Sequence, residues 1–191
     1  MPDRKRAAPA KITATSLNNI ALHYLERFAS SAENLRRVLL RRVRRAAAHH
    51  GSDPGEGAAL VEALIVRFQR SGLLDDPRYA AAKAASLLRR GLSRRAIAGK
   101  LAQHGIAAEL IAETLRELAA ASGGSELAAA CVFIRRRRLG PYRSSTSRAG
   151  SPEKEMGALA RAGFSFEIAR RVLACPDSEA VEALMHAEEQ S

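Results

Sequence analysis

Four features of this sequence have residue types and spacings that could do chemistry. They are an acidic pair, Asp75-Asp76; a histidine pair, His49-His50; two cysteines, Cys131 and Cys175; and several runs of arginine. The acidic pair stands just before Pro77, which suits the first position of a helix, and no histidine or third carboxylate lies near it in sequence. It reads as a structural junction rather than an active site, with Leu73 and Leu74 buried and Asp76 capping the following helix. Adjacent histidines in a loop cannot both sit well on one metal, and no cysteine or carboxylate completes a set. The cysteines form no Cys-x-x-Cys pair and read as small buried apolar residues of a reducing compartment. No phosphate loop, nucleophile elbow or paired catalytic carboxylates occur. The expectation is a protein that is not an enzyme and uses no cofactor or metal.

The arginines remain. The formal charge is +11, from 31 basic and 20 acidic residues, and residues 1–50 hold 11 basic against 3 acidic. Arg36, Arg37, Arg41, Arg42, Arg44 and Arg45 fall on one helix and beyond its end. Arg89 and Arg90 end a helix just before Arg94 and Arg95 open the next, and Arg135, Arg136, Arg137 and Arg138 run up to Pro141-Tyr142. A cation near a helix C-terminus gains only a few tenths to about 1 kcal/mol, so helix stability does not demand four in a row. Arg94 and Arg95 stand at an N-terminus, where the dipole disfavours them. Against the alternative of a solvated face on a plain helical scaffold, these clusters are expected to meet a polyanion or an acidic partner. Tyr142, between Pro141 and Arg143, is the one ring expected to be exposed beside them; Tyr24, Phe28, Phe68 and Tyr79 lie on apolar stripes.

What must position these groups is helical. The 191 residues are 47% hydrophobic but only 4% aromatic, and Ala and Leu dominate. Leu17, Ile20, Ala21, Tyr24, Leu25 and Phe28 make a continuous stripe, with Thr15 or Ser16 available as its cap. Ser30 and Glu33 suit a capping box for the next helix, with Leu35, Val38, Leu39 and Val43 on its apolar side. Leu60, Val61, Leu64, Ile65 and Phe68 mark a third helix, closed by Gly72. The grammar then restarts, with helices around Leu87, Ile97 and Leu115, a break at Gly123-Gly124, and further helices around Cys131 and beyond a Ser- and Arg-rich loop from Gly140 to Pro152.

An internal repeat with an offset of 58 places Gly105 on Gly163, Leu101 on Leu159, Ile106 on Phe164, Glu109 on Glu167 and Leu115 on Leu173. The opening segment fits more loosely, with Val43 where a glycine would be. The expected fold is all-α, three tandem three-helix repeats in an elongated, curved array, since no unit of this size buries a sufficient core alone. The expected divisions are a disordered basic tail at 1–14, repeats at 15–72, 73–122 and 123–175, and a C-terminal tail at 176–191. A helix-turn-helix reading around Gly105 fails on charge: Glu109, Glu113 and Glu117 would face phosphates. Arg170 and Arg171 occupy the corresponding stretch of the third copy. No apolar run is long enough to span a membrane and no signal-peptide core follows the basic start, so the cytoplasm is expected.

The run Gly72-Leu73-Leu74-Asp75-Asp76-Pro77-Arg78-Tyr79-Ala80, followed by Leu88-Arg89-Arg90-Gly91, Ile97, Leu101 and Gly105-Ile106, resembles the RecX family. Ser30 to Arg37 resembles that family's first helical pair, and Arg138-Leu139-Gly140 and Ala162-Gly163-Phe164 its third unit. The likeness covers about residues 15–175. It implies a regulator that binds RecA filaments on single-stranded DNA, contacts the recombinase and single- or double-stranded DNA, and impedes ATP turnover, filament extension and strand exchange; the chain itself is expected to be a monomer.

Overall fold

A computed structural model describes residues 11–121, 125–143 and 151–189. The Gly123-Gly124 break and most of the Gly140–Pro152 loop lie outside the described residues. Among those described, every regular element is a helix: α1 Ala14–Leu25, α2 Ala32–His50, α3 Pro54–Arg70, α4 Asp76–Arg89, α5 Arg94–Gln103, α6 Ala108–Ala120, α7 Glu126–Arg137, α8 Pro152–Arg161, α9 Phe166–Leu173 and α10 Ser178–Glu189, with one 3-10 turn at Gly140–Tyr142. The chain divides into two compact units, Met1–Tyr79 and Ala80–Ser191, and the division falls inside α4.

In the first unit α1, α2 and α3 bury Leu17, Ala21, Leu35, Leu39, Val61, Ile65 and Phe68, with Leu74 closing the cluster. Each large aliphatic side chain so buried contributes about 1.5–3 kcal/mol. Packing begins before residue 14, because Ile12 is already against this core. Thr13 caps α1 in a reciprocal capping box with Ser16, one turn earlier than the apolar stripe alone indicates. The helix stops at Leu25, so Phe28 lies past its end and is 56% exposed. For α2 the cap is Ser31, whose Oγ accepts from the Asn34 N–H, rather than Ser30.

The glycine positions explain the repeat. At Gly105 and Gly163, both with positive φ, the chain closes α5 and α8 by the same two bonds. Gly105 N–H donates to Ala102 O and Ile106 N–H to Leu101 O; Gly163 N–H donates to Ala160 O and Phe164 N–H to Leu159 O. These are Schellman closures, offset by 58 residues. Val43 stands at the equivalent position of the first triplet, and there α2 simply continues. It is 19 residues long against 10 for α5 and α8, ending instead at Gly51. Val43 is buried, and a Cβ on Gly57 of α3 would come within 2.5 Å of its Cγ1. The longer helix is thus accommodated by a glycine on its neighbour.

The acidic pair works differently from the expectation. Asp75, not Asp76, caps α4: its Oδ1 accepts from the Arg78 N–H at 2.8 Å. Asp76 Oδ1 accepts from Ala32 N–H, the first residue of α2, at 2.8 Å. Leu74 is buried but Leu73 is 47% exposed, because the chain turns between them and only Leu74 N–H folds back onto Phe68 O. The same device recurs in the second unit. Ser93 caps α5 through the Ala96 N–H, and Glu126, first residue of α7, accepts from Arg94 N–H, first residue of α5, at 3.0 Å. Both serines are fully buried. In the third triplet Ser151 precedes Pro152, which has no N–H to satisfy.

The segment after Pro176, expected as a tail, is helix α10. Asp177 caps it through the Ala180 N–H, and α10 packs on α7 with Val181 buried. No described helix is long and apolar enough to cross a membrane.

Removing the Asp76 carboxylate leaves a buried α2 N-terminus short of an acceptor. Asp76→Ala should lower stability by about 1–2 kcal/mol, and Asp75→Ala by a similar amount through α4. Because Asp76 is the first residue of the helix that Asp75 caps, the two sites should couple, and the double substitution should depart from additivity in urea unfolding.

Candidate functional site

In α2 the helical spacing sets Arg37, Arg41, Arg44 and Arg45 on the exposed side, but not all are equally available. Arg36 Nε lies 2.9 Å from Glu62 Oε1 and its Nη1 is paired with Glu33, while Arg37 Nε lies 2.8 Å from Glu33 Oε1. Hydrogen bonding from Arg36 holds the Glu33 carboxyl below its usual range despite partial burial, and Glu62 raises the Arg36 guanidinium in turn. Surface pairs of this kind contribute only about 0–1 kcal/mol, but they neutralise the first turns of the helix. Arg41, Arg42, Arg44 and Arg45 are exposed one and two turns further on. His49 and His50 end the helix with their rings 4.8 Å apart, edge to face. Among the described residues no group of three or more His, Cys, Asp or Glu side chains could hold a metal ion.

The second unit brings two clusters together. Gly91, with φ of 81°, closes α4 and lies so near α7 that a Cβ there would come within 2.9 Å of Phe133 N and 3.1 Å of Ala129 O. One turn along α7, Arg136 Nη1 donates to Arg90 O at 2.8 Å. The C-terminal carbonyls of α4 are thereby partly satisfied by an arginine from α7. Arg89, Arg90, Arg135, Arg136, Arg137 and Arg138 are all exposed around this meeting point. Arg137 also covers the Phe133 ring, with its guanidinium carbon 5.9 Å from the centroid, and Phe133 packs against Phe164 with ring centroids 5.5 Å apart.

Arg94 and Arg95 follow directly at the start of α5. The dipole penalty on Arg94 is offset by Glu126, whose carboxylate sits on its backbone N–H. Arg94 is half-buried, whereas Arg95 is exposed and lays its stem along Gly163, 3.1 Å from where a Cβ would stand. Ser93 Oγ also donates to Ala162 O at 2.6 Å. The α5 start is therefore fixed to the α8–α9 turn, and Arg95 projects from a braced position.

Arg138 is the single non-glycine residue at positive φ among those described, at 54°. It closes α7 by the same pair of bonds that Gly91 makes for α4: Arg138 N–H to Arg135 O and Leu139 N–H to Ile134 O. A left-handed conformation costs an L-residue other than glycine roughly 1–2 kcal/mol. Arg138 carries that cost at the position where Gly91 closes α4 without it.

Tyr142 is not an exposed ring. It lies in the 3-10 turn packed among α7, α9 and α10, is half-buried, and burial raises its phenol above the ordinary range. The adjoining Arg143 binds the buried Glu155, its Nη2 at 2.6 Å from Oε1, and the same oxygen accepts from Gly140 N–H. This pair anchors the turn rather than meeting a partner. Tyr79 is buried as expected, as is Cys131; Cys175 is half-buried, its thiol raised by desolvation. The exposed aromatic that periodicity did not single out is Phe166, 70% exposed at the start of α9. Glu109, Glu113 and Glu117 are exposed on α6.

Gly91→Ala should cost about 2 kcal/mol or more, from the left-handed strain and the Phe133 backbone contact together. Thermal unfolding of the variant measures the loss. A Gly51→Ala control, where nothing lies within 4 Å, should carry the conformational part alone.

Residues 75–115, which begin at the α4 cap and span α4, α5 and part of α6, match the family model for the second three-helix domain of RecX. Over 177 residues the chain is 45% identical to a regulatory protein RecX from Myxococcus xanthus (strain DK1622), covering 90% of this chain and 94% of the relative. A regulatory protein RecX from Agrobacterium fabrum (strain C58 / ATCC 33970) is 34% identical over 169 residues, covering 88% of each. On these likenesses over nearly its whole length, the chain belongs to the RecX family of regulatory proteins.

Proposed function

We propose that this protein docks on a RecA–single-stranded DNA filament through the arginine surface of its second unit and restrains ATP turnover, filament extension and strand exchange. The observation that carries the reading is the seating of Arg136 on the Arg90 carbonyl, which fuses two sequence-distant clusters into one cationic surface. Arg89, Arg95, Arg135 and Arg137 are exposed on the same unit, and Arg138 is exposed in a left-handed conformation at the end of α7. A filament of protein and phosphate offers the extended acidic partner such a surface fits. On this reading the protein acts as a cytoplasmic monomer without catalytic chemistry of its own.

A second reading, direct binding to DNA or RNA without the recombinase, is favoured by the exposed Arg41, Arg42, Arg44 and Arg45 on α2. The two differ in salt dependence. Phosphate binding alone should weaken steeply as salt rises, by roughly 10³-fold or more between 50 and 200 mM for several contacts. Docking on the recombinase should retain a component set by protein contacts.

The purified protein added substoichiometrically to a recombinase–single-stranded DNA ATPase assay should lower turnover. Reversing the exposed Arg89, Arg90 and Arg95 to glutamate should abolish the effect while leaving the helical content intact. Unchanged turnover at every ratio of wild-type protein would sink the reading. Arg138→Gly should separate stability from function, raising the former by about 0.5–1 kcal/mol while weakening filament inhibition.

A further inference from the structure

Among the described residues two arginines sit over an aromatic ring. Arg67 lies over Phe68, its guanidinium carbon 5.6 Å from the ring centroid, and Arg137 lies over Phe133 at 5.9 Å. Their other contacts differ. Arg67 Nη2 donates to Asn18 Oδ1, so that fork is spent within the first unit. Arg137 is exposed and makes no hydrogen bond or ion pair with another described residue. Other ordered arginines each commit a nitrogen: Arg136 to Arg90 O, Arg143 to Glu155, and Arg36 and Arg37 to Glu33. A ring attracts a guanidinium through its π face without offering it an acceptor of the ordinary kind, so the N–H donors of Arg137 remain for a ligand. The ring itself is braced. Phe133 stands four residues before Arg137 on α7, is half-buried, and meets the buried Phe164 edge to face at 5.5 Å. On its backbone side Gly91 approaches so closely that a Cβ there would stand 2.9 Å from Phe133 N.

We propose that Arg137 grips a phosphodiester of single-stranded DNA through a pair of parallel N–H···O bonds, and that Phe133 is the positioning residue that sets its fork. The inference rests on the arginine surface being the contact face, as in the filament reading, and names the group which that face takes. A phosphodiester spreads one charge over its non-bridging oxygens, the match of a guanidinium fork, whereas a lysine offers only a point charge. The surrounding charge favours nucleic acid over a protein carboxylate. Arg89, Arg90, Arg135 and Arg138 are exposed on the same unit in short runs, which suits a polymer that repeats its anion at every unit. Phe133 meets no ligand on this account and acts through Arg137 alone.

A double-mutant cycle tests this, read as anisotropy of fluorescein-labelled oligo(dT) bound by the full chain without recombinase. Arg137→Lys keeps the charge and loses the fork. Phe133→Leu keeps an apolar side chain against Phe164 and loses the ring face. Each should weaken binding roughly three- to tenfold. In the Arg137→Lys background Phe133→Leu should add less than about twofold, whereas lost packing alone would weaken both backgrounds equally. Phe133→Tyr, which retains a ring, should bind as the wild type does. Arg41→Lys, at an exposed arginine with no ring beneath it among the described residues, should stay within about twofold. Should Phe133→Leu unfold the chain, Arg137→Lys against Arg41→Lys still decides. The proposal is overturned by absent binding of oligo(dT), by Arg137→Lys binding as tightly as the wild type, by equal losses in both backgrounds, or by an Arg41→Lys loss as large as that of Arg137→Lys. Relief of ATPase restraint by Arg137→Lys with oligo(dT) binding unmoved would assign the fork to a protein carboxylate and likewise overturn it. The expected oligo(dT) pattern, with recombinase turnover unchanged at every ratio, would uphold the phosphodiester contact and remove the filament reading alone.

Discussion

The start of an α-helix presents backbone N–H groups with no partner inside the helix, and burying that start away from water leaves them costly unless another acceptor is supplied. In this protein the second helix of the first and of the second triplet begins in the interior, at serines with no exposure at all. Each serine satisfies one N–H through its own hydroxyl. The N–H of the first helical residue is met from outside, by a carboxylate carried on the first residue of the helix that opens the following triplet. That requirement fixes where α4 begins relative to α2 and where α7 begins relative to α5. The glycine closures, the tight approach of Gly91 to α7 and the placing of the arginines follow from those fixed starts.

Most of the helices were legible because their apolar residues recur with a period near 3.6 over long stretches, and because Gly72, Gly91, Gly105 and Gly163 mark ends that only a positive φ can make. The 58-residue repeat was legible for the same reason, since a closure motif leaves a glycine and an apolar residue in register. Partners across the fold were not. Asp75 and Asp76 are indistinguishable as local caps, and sequence has no means of showing that one of them serves a helix 44 residues upstream. Leu73 and Leu74 are equally apolar, and a turn between them decides which is buried. Phe28 and Tyr142 exchanged their expected roles because helix α1 stops one turn early and the Gly140 turn tucks inward. The last helix went unread because its apolar face is short and its cap, Asp177, follows a proline.

The candidate surface shows the same division between local and distant information. Each arginine run is visible in sequence, and so is the weak claim that helix dipoles have on it. What changes the weighting is pairing. Arg36 and Arg37, which open the longest run, are committed to Glu33 and Glu62, whereas the shorter runs at Arg89–Arg90 and Arg135–Arg138 are joined by a single guanidinium-to-carbonyl bond. Counting charge along the chain could not show that Arg36 and Arg37 are paired while Arg41, Arg42, Arg44 and Arg45 are exposed. It could not register that the other two are one.

Pro152 carries an implication for how this architecture ends. At the head of α8 the residue that would ask for an external carboxylate has no hydrogen to offer, so the third triplet issues no demand that a successor could meet. Lengthening the series by duplicating a triplet after α9 would therefore set a docking acid against a pyrrolidine ring. A longer relative built on these rules would first have to restore an ordinary residue at that site.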